Sequence, residues 1–206
     1  MKNLLKISSL FIVLSIIFSS LTACSNSANS QKGPVDEKKA AGNNANTETD
    51  AVSKSKSSEY PPAPAAIMQA EIKNLDGNIF KVEDLKGKVV LLNLWATWCG
   101  PCRQEMPELV AMESEFTSKG YKTIGLNVDD ETPEQIKPFA EQMKLNYELA
   151  WADEKLMREF IKISKESGIP QSFLIDREGH LRGVFFGASR NVITKIRENV
   201  EKVVNE

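Results

Sequence analysis

The chain is short of metal-binding side chains. Its 206 residues include one histidine, His180, and three cysteines. A structural zinc site takes four such ligands, so a zinc half-site would consume the whole supply and is disfavoured. A dominant charge is also missing. The sequence carries 26 Lys and Arg against 28 Asp and Glu, a net charge of −2. That balance provides no basic surface for nucleic acid. No internal repeat is evident, and residues 25–59 contain no aromatic side chain.

That aromatic-free stretch is rich in Ser, Asn, Lys, Ala and Glu. It cannot bury enough apolar surface to offset the entropy of ordering, so it reads as a tether. A flexible coil of ~35 residues spans roughly 30–35 Å. Before it, Lys2 and Lys6 make a basic start, residues 7–21 are mostly apolar, and Leu21-Thr22-Ala23-Cys24 follows. This pattern is a secretory signal with small residues near its end. The tetrapeptide resembles a bacterial lipobox. The resemblance implies cleavage before Cys24 and lipidation of its sulfur; an uncleaved signal anchor or a chance cysteine are the alternatives. Two or more acyl chains give stable membrane anchoring where one does not. The expected organisation is a lipoprotein signal peptide at 1–23, a lipidated cysteine and tether at 24–59, and one globular domain at 60–206.

The chemistry concentrates in Trp98-Cys99-Gly100-Pro101-Cys102. The run 88–95 before it is apolar on both faces, which predicts a central strand of a parallel sheet covered on both sides. Arg103, Gln104, Glu105 and Met106, then Leu109, Val110, Met112 and Phe116, follow a helical pattern. Cys99 thus falls at or just before a first helical turn, where unpaired N–H groups favour a thiolate. Cys102, one turn on, can reach Cys99 and is expected to be the more shielded thiol. One thiol would attack a substrate disulfide and the other would resolve the mixed disulfide. A purely structural disulfide is the bland alternative. Pro101 suits the first turn, whereas Pro107 should kink the helix near the Arg103 carbonyl.

Further along, residues 71–82 hold an Asp76-Gly77 turn between alternating side chains and predict a hairpin. A strand is expected from 121 to 128, and a helix after Thr132-Pro133 with Ile136, Phe139, Ala140 and Met143 on one face. A short strand at 147–151, a helix capped by Asp153, two strands joined through 177–180, and a last helix carrying Val192, Ile193, Ile196, Val200 and Val203 complete the order. His180, alone in a turn, is expected to be exposed and without a catalytic part.

The stretch 87–109 closely resembles the thioredoxin superfamily, and more narrowly the TlpA/ResA group of thiol-disulfide oxidoreductases. Gly168-Ile169-Pro170-Gln171-Ser172-Phe173-Leu174-Ile175-Asp176 agrees with it. The likeness covers about residues 60–205 and implies an α/β, thioredoxin-like fold with an N-terminal β-hairpin and a central helix–strand insertion at 132–151. It implies a cis bond before Pro170. It places Trp98, Gly100, Pro101, Ile169 and Pro170 at a substrate-binding face, with Ile169 able to hold an extended peptide. It makes Cys99, Cys102 and Glu105 the catalytic candidates, since a glutamate at this place influences cysteine acidity in the group. A surface glutamate is the other reading of Glu105. Asn93 stands where ordinary thioredoxins carry a buried aspartate.

The resemblance implies an extracytoplasmic, membrane-tethered reductase of protein disulfides. It would use no cofactor beyond the Cys99–Cys102 pair, bind no metal, and draw electrons from a transmembrane thiol carrier. Apocytochrome c cysteine pairs are the implied clients. The Gly-Pro dipeptide between the cysteines leans toward a potential below about −200 mV. Two other functions stay open. A peroxiredoxin-type thiol peroxidase would use Thr97 beside Cys99, and a copper chaperone for oxidase assembly would need a distal histidine near the thiols.

Overall fold

Val89–Trp95 is buried along its whole length, and the domain is arranged to cover both of its faces. The computed structural model describes residues 59–206. The expected signal peptide, Cys24 and all but the last residue of the tether lie outside the described residues. The elements run α1 (Ala65–Met68), β1 (Ile72–Lys73), β2 (Ile79–Phe80), β3 (Val89–Trp95), α2 (Gly100–Phe116), β4 (Tyr121–Asn127), α3 (Pro133–Met143), β5 (Glu148–Trp151), α4 (Glu154–Ser164), β6 (Gln171–Ile175), β7 (Leu181–Phe186) and α5 (Arg190–Val204). A five-stranded sheet in the order β5-β4-β3-β6-β7 forms the centre, and β1 and β2 make the small N-terminal hairpin. This mixed α/β arrangement is the thioredoxin-like fold, with α3 and β5 as the insertion.

The parallel setting expected for the 88–95 strand holds on one side of it only. β3 is parallel to β4 but antiparallel to β6, and β6 is antiparallel to β7. A strand buried on both faces is apolar on both sides whichever way its neighbours run, so the composition of 88–95 reports coverage and not direction. The predicted helices at α2 to α5 are present, whereas α1 and its four residues carry no periodic signal long enough to read. α2 continues through Pro107 to Phe116, and α3 holds a second internal proline, Pro138.

The period of two divides β3 between two cores. Val89, Leu91 and Trp95 pack with α2, α3 and α5, where Met106, Leu109, Phe116, Ile136, Ile196 and Val200 are buried. Val90, Leu92 and Leu94 face the other core with Ile67 of α1 and Leu156 and Phe160 of α4. Asn93 keeps the phase of Leu91 and Trp95, so a polar amide enters the first core on the face that carries α2.

Gly125 of β4 shows how tightly that face is packed. An added Cβ would lie 2.9 Å from Leu149 Cδ2, 3.0 Å from Trp95 Nε1 and 3.1 Å from Tyr147 Cε2. Gly125→Ala is expected to lower stability by about 1–3 kcal/mol through overpacking. Urea unfolding measures this; an unchanged midpoint would show that the three side chains move aside freely.

The sheet has two distinct poles. The carboxyl end of β3 leads to Cys99, and Leu94 there pairs with Gln171. At the opposite end Val90 pairs with Ile175, and the 176–180 turn follows. The chain joins the domain at this second pole: Leu181 N–H donates to Pro61 C=O and Ala63 N–H donates to Gly179 C=O, both at 2.9 Å.

Candidate active site

β3 carries the chain to a turn in which Cys99 becomes the N-cap of α2. Its Sγ accepts the Cys102 backbone N–H at 3.2 Å. Cys99 and Cys102 are joined as a disulfide, with their Cα atoms 5.3 Å apart. Four N–H groups at a helix start lack intrahelical partners, and their partial positive charge stabilises a thiolate released there. The residue freed at the N-cap on reduction is therefore Cys99, while Cys102 lies inside the helix.

In the disulfide form both sulfur-bearing residues are closed off, Cys102 the more so, as expected. Cys99 is 2% exposed and Cys102 is fully buried. Cys99 belongs to the buried cluster that also holds Trp95, Ala96 and Met106. Gly100 and Pro101 remain exposed between the two sulfurs. Trp98 is 68% exposed at the rim. Its indole N–H donates to the Asp129 carboxylate, and the Thr97 hydroxyl donates to Glu131. Glu131 also receives Asn127 Nδ2 at 2.6 Å and, on its backbone carbonyl, Trp151 Nε1 at 2.9 Å. The loop after β4 thus clamps the two residues before Cys99. Sequence reading missed Asp129 and Glu131, which stand more than 30 positions from their partners in an unpatterned acidic run.

The Ile169–Pro170 bond is cis. Pro170 is buried, and its carbonyl accepts the Gly187 N–H at 2.9 Å. Ile169 is half-buried, and among the described residues no backbone group pairs with its N–H or C=O. Its free backbone groups lie at the start of β6, on the pole that carries the cysteines.

Glu105 is buried in α2, three residues after Cys102 and on the same helix face. The surface reading of this residue does not hold. Its Oε1 accepts Asn93 Nδ2 at 2.6 Å, and Asn93 Nδ2 also reaches Ser172 Oγ at 3.0 Å. Burial raises the Glu105 pKa from 4.5 to about 8, although the Asn93 hydrogen bond works in the opposite direction. Burial likewise pushes the Tyr147 phenol up, and the charge of Glu105 adds to the effect. A carboxyl poised near neutrality one turn from a cysteine can give or take a proton.

His180 is not at this site. It lies in the turn at the opposite pole, with its side chain 24% exposed and Nδ1 3.3 Å from Asp176 Oδ1. The expected open exposure is therefore reduced by packing against Asp176. Asp176, Glu178 and His180 each bring one ligand atom within 4.8 Å of the others. However, Asp176 Oδ1 already accepts the N–H groups of Glu178 and His180, and Oδ2 accepts Arg182 Nη1. Arg182 supplies the positive charge that a metal ion would otherwise bring.

Comparison with known proteins accords with this geometry. The AhpC/TSA family model matches residues 62–184. The chain belongs to the AhpC/TSA family of thioredoxin-like proteins. Within that family it is similar to the thiol-disulfide oxidoreductase ResA of Bacillus thuringiensis subsp. konkukian. The two are 38% identical over 108 residues, 52% of this chain and 60% of that protein. It is 29% identical to ResA of Bacillus subtilis over 130 residues, 63% of this chain and 68% of the relative. A thiol:disulfide interchange protein of the thioredoxin family from Chlorobium tepidum TLS has a similar structure. That structure superposes with a TM-score of 0.60 at 30% identity, over 71% of this chain and 98% of that one. The chain spans about 60% of the length of the Bacillus thuringiensis relative it matches.

Proposed function

We propose that this AhpC/TSA-family chain is a thiol-disulfide oxidoreductase that reduces disulfides in other proteins through Cys99 and Cys102. The observation that carries the proposal is a disulfide at the N-cap of α2 with a buried carboxyl, Glu105, one turn behind it. In the reduced protein the Cys99 thiolate attacks a substrate disulfide. One substrate sulfur leaves as a thiolate, and a mixed disulfide forms. Cys102 then gives its proton to the Glu105 carboxylate and attacks Cys99 Sγ. The Cys99–Cys102 bond closes and the second substrate sulfur leaves. Two electrons pass from the protein dithiol to the substrate, and the proton leaves with the products or to solvent.

The exposed face at Trp98, Gly100 and Pro101 is where the substrate binds. Ile169 holds its backbone by strand-like hydrogen bonding beside Pro170. No cofactor takes part beyond the cysteine pair, and no metal is required. The same reading places the protein outside the cytoplasm, anchored through lipid on Cys24. Its electrons come from a transmembrane thiol carrier, and apocytochrome c cysteine pairs are candidate clients. The pole at which the chain joins the domain is the one opposite Cys99, which suits a tethered domain that offers its disulfide away from its attachment.

The peroxidase and copper-chaperone readings are less well served. The Thr97 hydroxyl is committed to Glu131 and not to Cys99. His180 sits at the far pole of the sheet from both thiols. The deciding measurement is insulin disulfide reduction beside peroxide consumption, together with equilibration in glutathione buffers. The expected result is insulin reduction, a reversible two-electron transition below about −200 mV and negligible peroxide turnover. Peroxide turnover without insulin reduction would reverse the assignment.

A further inference from the structure

Asn93 and Ser172 are directly opposed in the antiparallel β3–β6 pair, so both side chains rise from the same face of the sheet toward α2. All three members of the resulting group are buried: Asn93 is 0% exposed, and Ser172 and Glu105 are each 1% exposed. The Asn93 amide nitrogen serves Glu105 at 2.6 Å and Ser172 at 3.0 Å. Its Oδ1 is left buried without a partner. An unpaired buried acceptor is costly. The amide accepts that cost to aim its N–H groups at the carboxyl, an orientation that favours the charged form of Glu105. Ser172, as acceptor of the second contact, holds the amide in that orientation.

We infer that Asn93 and Ser172 are a positioning pair that fixes the Glu105 carboxyl behind the cysteines and sets it up as the proton acceptor of Cys102. This rests on the reductase reading above and assigns it two residues that do not themselves touch sulfur. Ser172 is two positions after Pro170, so the strand that would carry the substrate backbone also carries the support of the buried carboxyl. A change in the seating of β6 is thereby transmitted to Glu105 through one side chain.

Among the described residues, few groups that can titrate surround Glu105. α2 contributes Cys102 and, at its N-cap, Cys99. The approach to β5 contributes Tyr147, whose phenol responds to the Glu105 charge. From β3 the Asn93 amide bonds the carboxyl and from β6 the Ser172 hydroxyl bonds that amide, and neither group titrates.

The test is the pH profile of cysteine alkylation in the reduced full-length chain, recorded for wild type, Glu105→Gln, Ser172→Ala, Ser172→Thr and Asn93→Leu. Wild type should show an inflection from Glu105 in addition to that of the thiol, and Glu105→Gln should lack it. Ser172→Ala and Asn93→Leu should move this inflection upward by about one pH unit, since each weakens a hydrogen bond to the charged form. Ser172→Thr, which keeps the hydroxyl, should leave it in place. If Ser172→Ala retains the wild-type inflection while Glu105→Gln abolishes it, the positioning pair is refuted and the role of Glu105 survives. If Glu105→Gln changes nothing, both are refuted. Should Asn93→Leu fail to fold, Ser172→Ala decides alone.

Discussion

Cys99→Ser is expected to abolish disulfide reduction, while Cys102→Ser converts the protein into a trap that holds its substrate through Cys99. The asymmetry follows from where the two sulfurs sit. Cys99 caps α2 and meets the unpaired N–H groups of the first turn, including that of Cys102 at 3.2 Å. Its thiolate is stabilised there, and it adjoins exposed Trp98 and Gly100. Cys102 is wholly buried within the helix and has access only to Cys99. Among the described residues, removing Cys99 leaves no cysteine that a protein substrate can reach, so turnover should fall to the background rate of free glutathione. Removing Cys102 leaves the attack intact and deletes the resolving step, so the mixed disulfide persists. Non-reducing electrophoresis and mass spectrometry of the captured species would read this out and identify the client. Capture by Cys99→Ser in place of Cys102→Ser would mean that the order of attack is inverted.

The parts of this site that lie close together in the chain were legible in the sequence. The strand–turn–helix passage from Val89 to Phe116 could be read because burial on both faces and helical spacing are local patterns. The Asp76-Gly77 hairpin and the caps at Thr132 and Asp153 were readable for the same reason. The direction of β6 was not, since it depends on how the chain returns to the sheet and not on which residues it buries. Glu105 could be placed on the face of Cys102 by counting, but its burial depends on α2 lying over Asn93, a tertiary fact. The contact from Asn93 to Ser172 spans 79 positions and the Thr97–Glu131 contact spans 34. Neither pair has a composition that distinguishes it from surface polar residues. The burial of Cys99 in the disulfide form was not legible either, since it depends on the packing of α2 against the sheet.

Glu105→Gln should make the protein more stable at alkaline pH and leave it unchanged below pH 4.5. The carboxyl titrates near 4.5 when unfolded and near 8 when folded, because burial penalises its charge. Below pH 4.5 both states hold the proton and there is no difference between them. Between pH 4.5 and 8 only the folded state holds it, so rising pH favours unfolding by about 1.4 kcal/mol per pH unit. Above pH 8 the folded state has released the proton too, and the full deficit of roughly 4–5 kcal/mol stands. Glutamine keeps the acceptor that Asn93 addresses and cannot ionise, so the variant should escape this slope. Subtracting urea-unfolding curves of variant and wild type, both oxidised, from pH 5 to 9 cancels the other titrating groups. Curves that run parallel would show that Glu105 folds without retaining its proton. The same position carries a functional cost, because glutamine cannot accept the Cys102 proton. At pH 7 roughly one tenth of the Glu105 carboxyls in wild type are ionised and able to serve as base. Reductase turnover in wild type should therefore climb toward pH 8 while that of Glu105→Gln stays low. In the proposed mechanism the buried carboxyl that weakens the fold at alkaline pH would be the one that permits resolution, and a variant that gains stability and loses turnover in the same pH window is the signature of that exchange.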